Sequence, residues 1–177
     1  MSDECIFCKI VRKEIPSLRV YEDSDCVAML DVKPLAPGHT VFIPKKHIAL
    51  FEELDDDMMQ KIFVGVKKSI SMIKNSALRP QAFTIGINDG KAAGQFVPHL
   101  HIHIIPRFDG DKGGSVHTIV NNPPHEDLKS VHEKILAEKQ HEEPLPERTP
   151  EKSVEEIVKK EESLEARIKR LEREMGL

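Results

Sequence analysis

Apolar and polar residues alternate most strictly over Val97-Pro98-His99-Leu100-His101-Ile102-His103-Ile104-Ile105-Pro106. His99, His101 and His103 share one parity and Leu100, Ile102 and Ile104 the other, which is the period of a β-strand. The pattern predicts a strand with imidazoles on one face and aliphatic side chains seeking a core on the other. Pro98 and Pro106 bracket it, at positions where a strand tolerates proline. Arg19-Val20-Tyr21 and Cys26 to Leu30 read as two short strands joined by Glu22-Asp23-Ser24-Asp25. Thr40 to Ile43 reads as a third, closed by Pro44, and Gln81 to Ile87 as a fourth. Between them, Met59, Ile62, Phe63, Val66, Ile70 and Ile73 recur at helical spacing. Asp55-Asp56-Asp57 opens that helix, where carboxylates cap amides and meet the positive end of the dipole. Cys5 to Val11 fits one or two helical turns before Pro16. Three strands, a helix and two strands on short connections predict an α+β fold, a five-stranded antiparallel sheet with a long helix packed on it.

The pattern changes from Pro123. Residues 1–120 read as the main domain, 121–141 as a helical extension, 142–150 as a proline-rich linker and 151–177 as a charged amphipathic helix. In that last segment Val154, Ile157, Glu161, Leu164, Ile168, Leu171 and Met175 follow heptad spacing, and Glu155/Lys159 and Glu165/Lys169 are favourable i,i+4 pairs. A solvated single helix, a short coiled coil, and docking onto a partner or onto its own dimer all fit this pattern.

Charge and composition narrow the setting. A net charge of −4 provides no general basic field for nucleic acid. No apolar run reaches the ~20 residues of a membrane span. Met1-Ser2-Asp3-Glu4 lacks the basic and apolar regions of a signal peptide. The expectation is a soluble, cytoplasmic protein with neither nucleic acid nor membrane as partner. Three cysteines in such a chain argue against a disulfide framework, and Cys26 reads as a small core residue.

Three imidazoles at alternate positions titrate near neutrality, which leaves nucleophilic catalysis, acid–base catalysis and metal binding open. Cys5-x-x-Cys8 alone fits a metal half-site, a redox pair or two buried thiols.

The His-φ-His-φ-His-φ-φ run, with φ apolar, resembles the signature of the histidine triad (HIT) superfamily of nucleotide hydrolases and transferases. The resemblance extends to Asn88-Asp89-Gly90, to Gly94-Gln95, to Leu35-Ala36-Pro37-Gly38-His39-Thr40-Val41-Phe42-Ile43-Pro44-Lys45-Lys46-His47 and to Cys5-Ile6-Phe7-Cys8-Lys9-Ile10. It covers roughly residues 3–110. It implies attack at the α-phosphate of a nucleoside phosphoramidate or dinucleoside polyphosphate through a covalent nucleotidyl-histidine. The alternative is a purine-nucleotide-binding regulatory module with little turnover. By this resemblance His101 is the nucleophile, His103 polarises the transferred group, His99 supports the edge of the site and His39 orients the others. Asn88 lies beside the phosphate, and the backbone amides around Gly94 and Gln95 cradle its oxygens. Asp31 holds the ribose of a nucleotide such as AMP or GMP. Ile6, Phe7, Ile10, Met29 and Val32 match base-pocket positions, although ordinary core packing accounts for most of them. Phe96 departs from the family, which commonly has a hydroxyl there. Some microbial members with this CxxC hold a structural zinc, which implies Cys5, Cys8, His47 and His99 as ligands and no metal in the chemistry itself. The family usually forms homodimers.

Overall fold

The computed structural model describes residues 4–137 of the chain. They divide into two units, one ending at Asn121 and one beginning at Asn122. The first runs α1 (Ile6–Val11), β1 (Arg19–Glu22), β2 (Cys26–Leu30), β3 (Thr40–Pro44), α2 (Asp56–Lys74), β4 (Ala82–Ile87) and β5 (Ile102–Arg107). The strands form one sheet in the order β1-β2-β3-β5-β4, with every neighbouring pair antiparallel. This is the α+β architecture that the periodicity predicts. In the second unit α3 (Leu128–Ala137) lies in the extension, with the amides of Lys129 and Ser130 donating to Asp127 Oδ1. The predicted linker over 142–150 and the heptad-patterned segment over 151–177 lie outside the described residues.

Strand alternation gives the sheet two faces. On one, Ala28, Phe42, Leu100, Ile102 and Ile104 pack with Met58, Ile62, Val66 and Ile73 of α2. On the other, α1 packs Ile10 against Val27, Met29, Val41 and Ile43. Asp55 caps α2, accepting the amide of Met58 at 2.8 Å. The stripe α2 buries is rotated from the predicted one: Met58 is buried in place of Met59, and Phe63 is 48% exposed. Small residues decide the rotation. The helix meets the sheet at Gly65, where a Cβ would lie 2.5 Å from Phe42 Cζ, so the close approach runs through Gly65 and Ser69.

The predicted triad strand is shortened as well. β5 begins at Ile102, so His99 and His101 precede the ladder and only His103 lies within it. Pairing with β3 runs out at Phe42↔Ile102. Two residues on, Pro44 has no N–H to continue the ladder, and its carbonyl accepts from the ring of His99. Leu100 turns its amide to Ile48 O instead, at 2.7 Å.

Candidate active site and metal centre

Alternation survives beyond the ladder, so the three histidines still face away from α2. Leu100, Ile102 and Ile104 are buried in the α2 core, while the rings of His101 and His103 lie 5.2 Å apart on the opposite face. Their partners fix the tautomers. His101 Nδ1 lies 2.8 Å from His99 O, and a carbonyl only accepts, so Nδ1 carries the proton and Nε2 presents a lone pair. Phe7 of α1 packs edge-on against both His99 and His101, at 5.7 and 5.4 Å between centroids.

A second chain of bonds sets His103. The Leu35 amide donates to His39 Nδ1 at 3.1 Å, so neutral His39 carries its proton on Nε2. That proton points at His103 Nδ1, 3.0 Å away, which puts the proton of neutral His103 on its Nε2. The result is a nucleophilic lone pair on His101 beside an N–H donor on His103. Burial holds both His39 and His103 below the ordinary imidazole range, and His101 and His39 depress His103 further. Asp31 opposes this from 3.7 and 3.8 Å, across the hydrogen bond between the two rings. Both imidazoles are therefore neutral at pH 7, the form the tautomer chain requires. Asp31 and His39 also line a cleft of about 420 Å³ beneath the Pro34–Gly38 loop.

On the far side of His101, Cys5, Cys8, His47 and His99 converge, their ligand atoms all within 4.8 Å of one another. Cys5 Sγ and Cys8 Sγ lie 3.5 and 3.7 Å from His99 Nδ1, Cys8 Sγ lies 3.4 Å from His47 Nδ1, and the two Nδ1 atoms are 3.3 Å apart. A tetrahedron with Zn–N bonds of ~2.05 Å and Zn–S bonds of ~2.3 Å has N···N edges of about 3.3 Å and N···S edges of about 3.5 Å. The residues fit zinc. His99 Nε2 donates to Pro44 O at 2.9 Å, leaving Nδ1 unprotonated towards the cluster. Burial pushes the His99 imidazolium down to about 4, so the ring is neutral, as a ligand must be.

The remaining candidates are placed unevenly. Asn88 directly follows Ile87, the last β4 residue, which pairs with Ile102 next to His101. The backbone amides of Gly94 and Gln95 already donate to Lys91 O and Gly90 O, so the turn itself uses the pair expected to cradle phosphate. The Gln95 side chain is also engaged, accepting from Gly90 N and donating to Ala49 O. Ile10 and Met29 are core residues, Ile6 is half-exposed, and Val32 and Phe96 extend into solvent at 93% and 96% exposure. Sequence reasoning missed the backbone groups that fix the tautomers: Leu35 N, Pro44 O and His99 O. Nothing in their side chains advertises that role.

The HIT domain family model matches residues 12–110, more than half of the chain. The chain belongs to the HIT family. It is 46% identical over 107 residues to an uncharacterised HIT-like protein of Methanocaldococcus jannaschii, covering 60% of this chain and 81% of that one. It is 34% identical over 137 residues to the adenosine 5'-monophosphoramidase HNT1 of Candida albicans, covering 76% of this chain and 90% of that one. A zinc-bound histidine triad family protein of Mycobacterium smegmatis superposes with a TM-score of 0.59 at 37% identity, covering 62% of this chain and 78% of that one. The HIT model begins at residue 12, after the two cysteines, so the proposed metal centre joins a segment outside the match to two histidines inside it.

Proposed function

We propose that the protein is a nucleotide hydrolase or transferase that acts at an α-phosphate through a nucleotidyl group carried on His101. The observation that carries this reading is the hydrogen bond from His101 Nδ1 to His99 O, which leaves the Nε2 lone pair free beside the His103 N–H. Nε2 forms a bond to phosphorus, and the bond from phosphorus to the leaving group breaks. The electron pair departs with that group, which takes a proton from solvent. Water then attacks phosphorus, the P–N bond to His101 breaks, its pair returns to Nε2, and water's surplus proton passes to solvent. His103 donates from Nε2 to a phosphoryl oxygen, and Asn88, just past the end of β4, donates to another. The amides of Phe96 and Val97 follow the turn that engages Gly94 and Gln95, bond to no group among the described residues, and serve the same anion. Asp31 accepts from ribose hydroxyls at the mouth of the cleft, and Phe7 borders the base. The adenosine 5'-monophosphoramidase activity named for the Candida relative supports an adenosine phosphoramidate as substrate.

Cys5, Cys8, His47 and His99 would hold a zinc whose contribution is structural, tying α1 to the segment that precedes β5. A homodimer through α2 and the edge strand β4 is supported by exposed apolar residues on that face, Phe63 at 48% and Ile85 at 45%.

The test is His101→Ala. It should fold, bind AMP and lose at least ~10³-fold in turnover, because the covalent route is gone. Trapping wild type with substrate at mildly alkaline pH should yield an acid-labile phosphoramidate on His101. Wild-type turnover in the variant, or a label on His99 or His103, would overturn the assignment. AMP binding with no adduct in wild type would favour the regulatory-module reading.

A further inference from the structure

Cys5 is the N-cap of α1 and Cys8 lies in its first turn. The Cys5 carbonyl accepts the Lys9 amide at 3.1 Å, which closes the turn between them. A helical turn sets Cα atoms three residues apart about 5 Å from one another, inside the roughly 4.4–6.8 Å that a disulfide spans. Both sulfurs flank one ring nitrogen, His99 Nδ1, at 3.5 and 3.7 Å. Zinc would hold them about 3.8 Å apart, the S···S edge of a tetrahedron with Zn–S bonds of ~2.3 Å, while a disulfide needs ~2.05 Å.

The cluster has an inner and an outer side. Cys8 and His99 are fully buried, whereas Cys5 is 8% exposed and His47 half-buried. A small oxidant therefore meets Cys5 first, and an ion would leave past Cys5 and His47. Cys26 is placed differently. It is fully buried in the α2 core, and burial pushes its thiol up to about 12. The thiolate rather than the thiol attacks an oxidant, so Cys26 is inert where metal-bound cysteines are held as thiolates. The turn that carries Cys5 and Cys8 also touches the proposed nucleophile. Phe7, between the two, packs edge-on against His99 and His101, and the His99 carbonyl accepts the His101 Nδ1 proton. A change of state at Cys5 and Cys8 thus reaches His101 through the Phe7 ring and through the His99 backbone.

We propose that Cys5 and Cys8 form a reversible redox switch, in which a hydroperoxide converts the zinc-bound thiolate pair to a disulfide, expels the metal and turns down transfer at His101. This rests on the zinc centre and the His101 reading proposed above. The Cys5 thiolate attacks one peroxide oxygen, the O–O bond breaks, and hydroxide leaves a sulfenic acid on Cys5. The Cys8 thiolate attacks that sulfur, the S–S bond forms, and the S–O bond breaks with loss of a second hydroxide. Two electrons pass from the sulfurs to the peroxide: two thiolates and hydrogen peroxide give one disulfide and two hydroxides. The Cα spacing already suits the bridge, so rotation of the two side chains closes it. His47 and His99 alone supply only two of the four ligands that a structural zinc takes, and no longer retain it. A dithiol reopens the bridge by exchange.

The experiment treats the full chain, purified under reducing conditions, with hydrogen peroxide. Zinc release is followed with a chromogenic chelator, thiols by alkylation and mass spectrometry, and turnover with adenosine 5'-phosphoramidate. Zinc should leave in step with formation of a Cys5–Cys8 disulfide, and Cys26 should remain open to alkylation once the protein is denatured. Turnover should fall about tenfold or more, the scale on which lost supporting contacts act. Dithiothreitol with added zinc should reverse all of these changes, and Cys26→Ala should respond as wild type does. Zinc release and disulfide formation are read without turnover, which separates the switch from the transfer reading. Reduced protein that carries no zinc would overturn both the metal centre and the switch. Zinc and thiols that outlast peroxide until the sheet unfolds, or oxidation that passes to sulfinic acid without a disulfide, would overturn the switch and leave the metal centre standing. A disulfide formed and zinc lost with turnover unchanged would overturn its control of His101. Reduced, zinc-loaded protein with neither turnover nor a His101 adduct would overturn the transfer reading and that control together.

Discussion

His99 serves two sites with two different atoms. Its ring nitrogen Nδ1 faces Cys5, Cys8 and His47, and its carbonyl accepts the Nδ1 proton of His101. The tautomer of the proposed nucleophile thus depends on the same residue that would hold zinc. Because His99 and His101 precede the β5 ladder, sheet hydrogen bonds do not hold their backbone. The bonds from Leu100 N to Ile48 O and from the His99 ring to Pro44 O, together with the four-residue cluster and Phe7, supply that restraint. A Cys5→Ser, Cys8→Ser variant is therefore expected to lose most bound zinc by elemental analysis and to keep its sheet by circular dichroism. Its turnover should fall about 10–100-fold, the usual scale for disturbing such supporting contacts. The protected His101 Nδ1 proton, followed by NMR, should broaden or vanish. If zinc-free protein kept both that resonance and full turnover, the link from metal centre to nucleophile would be wrong.

At the scale of elements, the helix–sheet contact is set by size as much as by hydrophobicity. Gly65→Ala gains helix propensity worth ~1 kcal/mol. The new methyl group would sit 2.5 Å from Phe42 Cζ, within a fully buried core. Overpacking of this kind costs roughly 1–3 kcal/mol, so the variant should be less stable than wild type despite its better helix former. Urea denaturation monitored by circular dichroism checks this, and an unchanged or higher midpoint would contradict it. The same contact shows what the pattern of residues conveys. The period of two over residues 99–106 correctly divides the imidazoles from the aliphatics, because side-chain direction follows local backbone geometry. The starts of β2 and β3 and the cap at Asp55 are legible for the same local reason. Where β5 leaves its ladder is not, because that depends on Pro44 in another strand lacking an N–H. The rotation of α2 is hidden likewise, since Phe63 outranks Gly65 on any hydrophobic scale and only the partner sheet reveals that small residues mark the seam. The histidines and cysteines of the site are legible by type, and their tautomers, set by distant carbonyls and amides, are not.

At the scale of the whole molecule, the groups proposed for catalysis and metal binding fall within one stretch of chain. The proposed zinc ligands and the histidine chain run from Cys5 to His103, and the HIT match ends at residue 110. The first unit closes at Asn121 with its sheet, both packed faces and the full histidine chain inside it. Residues 143–177 carry ten acidic and eight basic side chains, so they add little net field to steer an anionic nucleotide despite their density of charge. Removing them takes away no group assigned here to binding or transfer. A chain ending at residue 142 is accordingly expected to keep its kcat/KM for adenosine 5'-phosphoramidate within a few fold of the full protein. Steady-state kinetics on both chains, with zinc content and oligomeric state measured in parallel, tests this. If the shortened protein stayed folded, loaded and in its native assembly yet lost turnover, the terminal segment would have to supply a group to the site. A shortened protein that lost turnover only together with its assembly would place the segment's role in holding copies of the chain together.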